Sequence, residues 1–120
     1  MSSPYYVSQQ FSLNGKRYII INFVGSVSAG AAFPSTPITV PYPGKMSIMI
    51  LVGATSLVQM VITLPNGTTA AGYLASGNQI PANTWYTAED IVIQPGMQIQ
   101  FVVSNSTNVA MFVTITFDEV

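Results

Sequence analysis

The sequence contains no cysteine and no histidine, and only three cationic and four anionic residues among its 120. Without cysteine no disulfide can form, and the thiolates and imidazoles that usually bind zinc are missing. The absence of histidine also excludes Ser-His-Asp and Cys-His catalysis, because both mechanisms need an imidazole base. The three cations, Lys16, Arg17 and Lys45, are too few to form the basic patch of a nucleic-acid-binding protein.

The scarcity of charge also indicates how the protein meets its surroundings. Charged residues make up 6% of the chain, against about 25% in ordinary soluble domains. Solubility therefore has to come from Ser, Thr, Asn and Gln, and so few titrating groups predict an acid-stable fold. A net charge of −1 also favours association. We expect an exposed or extracellular setting, or a surface that partner subunits cover.

Hydrophobic residues make up 49% of the chain, which excludes intrinsic disorder. Turn signals recur about every 8 to 14 residues, and no long segment keeps a helical period outside residues 46–64. The pattern predicts an all-β chain: one antiparallel β-sandwich of about eight strands, similar to a jelly roll, over residues 13–120. Residues 1–12 form an N-terminal arm that is either disordered or ordered against a neighbouring subunit.

Three turn signals connect the expected strands. Asn14-Gly15 predicts a β-hairpin, and Pro43-Gly44 predicts a type II turn with a positive φ at the glycine. Pro95-Gly96 predicts a strand–turn–strand unit that joins residues 90–94 to residues 97–104.

Several expected strands are apolar on both faces, which is unusual for an antiparallel sheet with one side in water. Either loops of the same chain or another subunit must cover the outer faces, and we expect a subunit. The expected interface residues are Ile19, Ile21 and Phe23 of one strand, Met49 and Leu51 of a second, Met60 and Ile62 of a third, and Tyr5 and Tyr6 of the arm.

Two stretches imitate membrane-targeting signals. Residues 46–64 carry no charge and are long enough to span a bilayer as a helix, so a small membrane-inserted subunit is a further alternative. Gly53-Ala54-Thr55-Ser56 interrupts that run, and its β-branched flanks favour two strands around a turn. The apolar run after Lys16-Arg17 starts 15 residues in and is broken by polar residues, so no cleavable signal peptide is expected.

The four carboxylates offer little chemistry. Glu89 and Asp90 are adjacent, so they point to opposite faces of a strand, and Asp118 and Glu119 lie near the C-terminus. A glycosidase pair or a calcium site would need carboxylates that converge, and the spacing does not indicate this. We therefore expect no enzyme, no metal and no cofactor.

Aromatic residues near turns support an alternative function. Trp85 and Tyr86, with Tyr73, would suit a carbohydrate-binding module, because aromatic faces stack on sugar rings; a core Trp with Tyr at the rim is the simpler interpretation. Asn66-Gly67-Thr68 and Asn105-Ser106-Thr107 match the N-glycosylation pattern in expected turns.

The order of these segments resembles that of small single jelly-roll virion proteins. It comprises the Lys16-Arg17-Tyr18 strand, a Pro-rich loop, the strand pair in residues 46–64, the unit around Pro95-Gly96 and a last strand at 109–117. Adhesive and carbohydrate-binding sandwiches share the Pro-Gly unit. The resemblance implies a capsid or virion-surface component that assembles with its own copies and with other coat proteins, without catalytic residues.

Overall fold

The computed structural model describes the backbone of residues 5–13 and 16–117 and the side chains of residues 18–117. This part of the chain forms nine β-strands. They are β1 (Tyr5–Leu13), β2 (Lys16–Val27), β3 (Phe33–Thr39), β4 (Gly44–Val52), β5 (Val58–Thr63), β6 (Thr69–Tyr73), β7 (Trp85–Ile93), β8 (Gln98–Val103) and β9 (Thr107–Phe117). A short turn of 3-10 type, Leu74–Gly77, follows β6.

The strands form two antiparallel sheets that pack face to face. One sheet has the order β1-β2-β9-β4-β7 and the other β3-β8-β5-β6. From β2 to β9 the chain alternates between the sheets as in a jelly roll, except that β5 and β6 pair with each other in the smaller sheet, and most other spatial neighbours are distant in sequence. The predicted antiparallel jelly-roll sandwich is therefore confirmed; β1 is a further strand at the edge of the larger sheet.

The N-terminal hairpin has the predicted pairing. β1 pairs with β2 from Tyr5 opposite Val24 to Leu13 opposite Lys16, so residues 5–13 belong to a sheet of their own chain. The predicted turn at Asn14-Gly15 lies outside the described residues, as do residues 1–4 of the expected arm. The side chains of Tyr5 and Tyr6 also lie outside them, so their role at a subunit interface stays a prediction.

The core is the space between the two sheets, and strict alternation along the long strands fills it. In β9, Val109, Met111, Val113, Ile115 and Phe117 are at most 2% exposed, while the residues between them face outward. Three phenylalanines from both sheets meet at the centre, with ring centroids 5.0 Å apart for Phe23 and Phe33 and 6.0 Å apart for Phe33 and Phe101. Burial of each such ring contributes about 1.5–3 kcal/mol.

The uncharged run at residues 46–64 is not a helix. Its first half lies in β4 and its second half in β5, which belong to different sheets. Within the described residues, no helix is long and apolar enough to cross a membrane. The alternative of a membrane-inserted helix is therefore wrong, and the prediction of two strands around a turn is confirmed.

The strand–turn–strand unit predicted at Pro95-Gly96 is present, but its two strands do not pair with each other as a hairpin. Residues 90–93 are the second half of β7, which lies in the larger sheet, whereas β8 lies in the smaller one. Gly96 has φ +86° and turns the chain from one sheet to the other. A Cβ on Gly96 would lie 2.7 Å from the Pro65 side chain, so glycine also permits close packing of two turns.

The sequence predicts that Gly44 occupies the positive-φ position of a type II turn, and this prediction is wrong. Gly44 begins β4, and its φ is not positive. Its Cβ would meet the carbonyl oxygen of Thr116 and would lie 2.9 Å from the Cα of Phe117. Glycine is needed here because β4 and β9 approach closely, which is a tertiary requirement that a Pro-Gly pair does not reveal.

Candidate functional site

Exposed large hydrophobic side chains concentrate on the outer side of the five-stranded sheet. The described residues include six such side chains, and five of them lie there: Val24, Met49, Trp85, Val92 and Phe112, which are 41–62% exposed. The outward position follows from alternation, since their strand neighbours face the core. We call this outer surface the apolar face.

The strand register joins four of these side chains, Val24, Met49, Trp85 and Phe112, into one patch, while Val92 lies beside Lys45 toward the other end of the sheet. One row across four strands contains Val24, Ala110, Leu51 and Trp85. The next row of outward-facing side chains contains Asn22, Phe112, Met49 and Thr87. The Trp85 and Phe112 rings pack together with centroids 6.0 Å apart.

A buried polar atom also lies within this patch. The side-chain oxygen of Asn22 is buried and accepts no hydrogen bond from the described residues. Asn22 stands opposite Phe112 in the register, so a polar group lies beside an apolar ring. A buried oxygen of this kind costs about 1–3 kcal/mol.

The described carboxylates lie at a bulge of the edge strand. The pairing of β4 with β7 shifts between Met46–Ile91 and Ile48–Ala88, and Glu89 and Asp90 occupy the gap. Asp90 has φ +58°, and both residues are exposed. A bulge with charges on an edge strand discourages pairing with another sheet. Within the described part, no three potential metal ligands cluster; Asp118 and Glu119 lie outside it.

The structure corrects most of the expected interface residues. Ile21 and Phe23 are 4% and 0% exposed and belong to the core. Ile19, Met60 and Ile62 are partly buried and also pack against the core.

Only Met49 and Leu51 of the described candidates lie on the outer side. The physical reason is that these strands are apolar on both faces, so the sequence does not reveal which set faces the other sheet. The sequence points to Trp85 as a glycan-binding residue instead, and it does not identify Val24, Val92 or Phe112 as interface residues. Phe112 stands out only as a large ring on the less apolar face of the last strand.

The three aromatic residues expected to bind a glycan do not converge. Trp85 faces outward, while its neighbour Tyr86 points inward and packs against the core. The Tyr86 hydroxyl accepts a hydrogen bond from the Ala75 backbone N–H at 2.9 Å. Tyr73 lies on the other sheet and is 55% exposed. A combined platform of Trp85, Tyr86 and Tyr73 is therefore wrong.

Tyr73 borders a separate depression on the outer side of the four-stranded sheet. The depression has a volume of about 240 Å³ and is lined by Gly30, Leu57, Gln59, Tyr73, Val102, Val103 and Ser104. We call the outer surface of this sheet the amide face, because its strands present Gln59, Gln98 and Gln100 outward.

Both glycosylation sequons lie in exposed loops. Asn66 accepts a hydrogen bond from the Thr68 N–H at 2.9 Å within the turn between β5 and β6. The Asn105 amide donates to the Thr55 carbonyl oxygen at 2.7 Å. Their accessibility suits glycosylation, and its occurrence stays a prediction.

No protein-family model matches the chain, and no curated protein sequence matches it. Among solved structures, the VP2 subviral particle of infectious bursal disease virus is 14% identical with a TM-score of 0.50, over 97% of this chain and 33% of that chain. The CBM22-1-GH10 modules of a Clostridium thermocellum xylanase, complexed with xylohexaose, are 14% identical with a TM-score of 0.49, over 95% and 24%.

A CBM22-1 xylan-binding domain from Paenibacillus barcinonensis is 8% identical with a TM-score of 0.46, over 96% of this chain and 87% of that chain. This chain therefore spans about a quarter of the xylanase chain and a third of the VP2 chain. The likeness to VP2, at 14% identity, shows a shared fold alone, and a fold does not determine function.

Proposed function

We propose that this chain is a non-enzymatic structural subunit that self-associates through the apolar face, as a capsid or virion-surface component. The observation that carries this proposal is that five of the six exposed large hydrophobic side chains in the described part lie on one face. A contiguous exposed apolar patch is rare on a monomer and marks an interaction site. The fold likeness to VP2 of infectious bursal disease virus motivates the virion setting.

The dimensions of the face suit an interface between subunits. Five strands at about 4.8 Å spacing and about ten residues at 3.4 Å each give a surface of roughly 800 Å². A standard stable interface buries about 800 Å² on each partner. Trp85 and Phe112 lie together within it, and clustered aromatic side chains supply much of the binding energy at such interfaces.

The charge distribution favours a second copy of the chain as the partner. The two rows that contain Trp85 and Phe112 hold no charged side chain, so two identical faces meet without repulsion. The same patch can then serve both partners around a two-fold axis. Lys45, at the other end of the face beside Val92, would lie near the rim.

Light scattering without detergent, at neutral and at acidic pH, tests the proposal. The wild-type chain is expected to form an oligomer of fixed copy number, and Phe112→Glu and Met49→Glu are expected to give folded 12.8 kDa monomers. Tyr73→Glu is the matched control, because it places the same charge at an exposed large side chain on the opposite face. Circular dichroism verifies that each variant is folded.

Two outcomes would contradict the proposal. A wild-type monomer at both pH values would mean that the apolar face has no partner of its own kind. Dissociation by Tyr73→Glu to the same degree as by Phe112→Glu would assign the interface to another surface. Electron microscopy of the wild-type oligomer then gives its symmetry and tests whether it builds a shell.

A further inference from the structure

The depression on the amide face combines an exposed ring with free hydrogen-bonding groups. Tyr73 of β6 stands directly opposite Gln59 of β5, and Val102 of β8 follows Gln59 in the same row. The Tyr73 side chain is 55% exposed, and Ser104 and Gly30 also line the depression. The ring therefore forms one wall of a concave surface that spans three neighbouring strands, β6, β5 and β8.

The polar groups of this depression are available to a ligand. Neither the Gln59 amide nor the Tyr73 hydroxyl hydrogen-bonds to any residue whose side chain the structure describes. The Ser104 hydroxyl oxygen accepts from the Leu57 N–H at 2.8 Å, which leaves its O–H free to donate. Together these groups offer donors and acceptors beside an apolar ring and the Val102 side chain.

We propose that this depression binds a single ring of a neutral saccharide. An aromatic face packs against the C–H face of a pyranose, and a side-chain amide pairs with adjacent hydroxyl groups as both donor and acceptor. No lining residue carries a charge at neutral pH, so nothing in the depression compensates a carboxylate or a phosphate on the ligand.

The size of the site sets the expected strength of binding. Its volume of about 240 Å³ is below the range of about 300–1,000 Å³ for drug-sized ligands. A ligand of one sugar ring in an open depression is expected to bind with a dissociation constant on the order of 1 mM. This site lies on the sheet opposite the apolar face, so it does not depend on self-association.

Saturation-transfer difference NMR tests this site at any oligomeric state. The probes are glucose, galactose, mannose, xylose and N-acetylglucosamine, with glucuronic acid as the charged comparison. We expect saturation transfer to at least one neutral sugar, and this transfer should be stronger than the transfer to glucuronic acid. Tyr73→Ala and Gln59→Ala should each abolish it, while Tyr73→Phe should retain most of it because the ring remains.

Thr69→Ala is the control variant, because Thr69 lies on the same strand at the far end of the face. It should bind as the wild-type chain does. No transfer to any neutral sugar would overturn the proposal, and transfer that persists in both Tyr73→Ala and Gln59→Ala would do the same. Light scattering of the same samples measures the oligomeric state, so a loss of saccharide binding can be distinguished from a loss of self-association.

Discussion

The two outer faces of the sandwich share a backbone architecture but carry opposite chemistry. The apolar face presents Trp85, Phe112 and Met49 in adjoining rows, with no side-chain amide except that of Asn22 among them. The amide face presents glutamines and threonines, with Tyr73 as its single large exposed ring in the described part. Water solvates the second face well and the first poorly, so the first face gains more from a protein partner.

The sheets behind these faces differ as well. The larger sheet pairs β2 with β9 over ten residues and β4 with β9 over nine. The smaller sheet ends in β6, a five-residue strand in which every residue is exposed. The larger sheet is therefore the rigid support, and the smaller one carries the more accessible surface.

The largest expected change in the free energy of unfolding distinguishes the core of the sandwich from the apolar face. Phe101→Ala removes a fully buried ring and is expected to lower the free energy of unfolding by about 3–5 kcal/mol. Phe112→Ala truncates a 42% exposed ring and is expected to cost less than about 1 kcal/mol in the monomer. Urea titration of both variants measures the difference.

Protein concentration sharpens this test. If Phe112 stabilises the chain through a partner subunit, the cost of its loss grows with protein concentration by mass action. The cost of Phe101→Ala should not change, because that ring packs within one chain. Equal effects of the two variants at low concentration would mean that Phe112 belongs to the core of the subunit.

The next prediction compares how the stability of each sheet responds when a glycine is replaced by alanine. Gly44→Ala places a methyl group against the β9 backbone at Thr116 and Phe117 and is expected to cost about 1–3 kcal/mol. Gly72→Ala in β6 meets no atom within 4 Å and needs no positive φ, so it should leave stability unchanged or raise it by up to about 1 kcal/mol. Thermal unfolding of both variants checks the signs, and a stable Gly44→Ala would show that β4 and β9 can separate at little cost.

The sequence predicted the individual strands better than their partners. The last strand at residues 109–117 and the turn at Asn66-Gly67-Thr68 follow from local chemistry, and both are present in the structure. The local sequence at Pro95-Gly96 predicts that the chain turns, but it does not predict which sheet the next strand joins. That choice depends on β4 and β9, which meet β7 and β2 from distant parts of the chain.

The residues of the apolar face could not be predicted from the sequence for a related reason. Residues 18–24 are apolar at nearly every position, so periodicity cannot tell Ile21, which faces the core, from Val24, which is 60% exposed. Trp85 and Phe112 come together only because both flank β4 in the correct register. The low charge and the strands that are apolar on both sides are visible in the sequence, and both favour such a face.

A smaller effect concerns the buried polar atom of the apolar face. Asn22→Val removes the oxygen that lacks a partner among the described residues and is expected to raise the free energy of unfolding by about 1 kcal/mol. The control is Asn108→Val on β9, because the Asn108 side-chain oxygen accepts from the Ser26 hydroxyl at 2.7 Å and its loss should destabilise. Denaturant titration compares the two signs, and a destabilising Asn22→Val would mean that this amide is hydrogen-bonded in solution.

A further effect of similar size tests whether the two sheets are coupled. Tyr86 of the larger sheet accepts the Ala75 N–H in the turn that follows Tyr73, and Ala75 and Ser76 both have φ +54° there. Tyr86→Phe should cost about 0.5–1.5 kcal/mol, whereas Tyr73→Phe, which loses a hydroxyl without a described partner, should cost nothing measurable by denaturant titration. If Tyr86→Phe also weakens saccharide transfer while Tyr73→Phe does not, then the inner side of β7 positions the turn beside the amide face. Unchanged transfer would mean that β6 holds Tyr73 in place without help from the larger sheet.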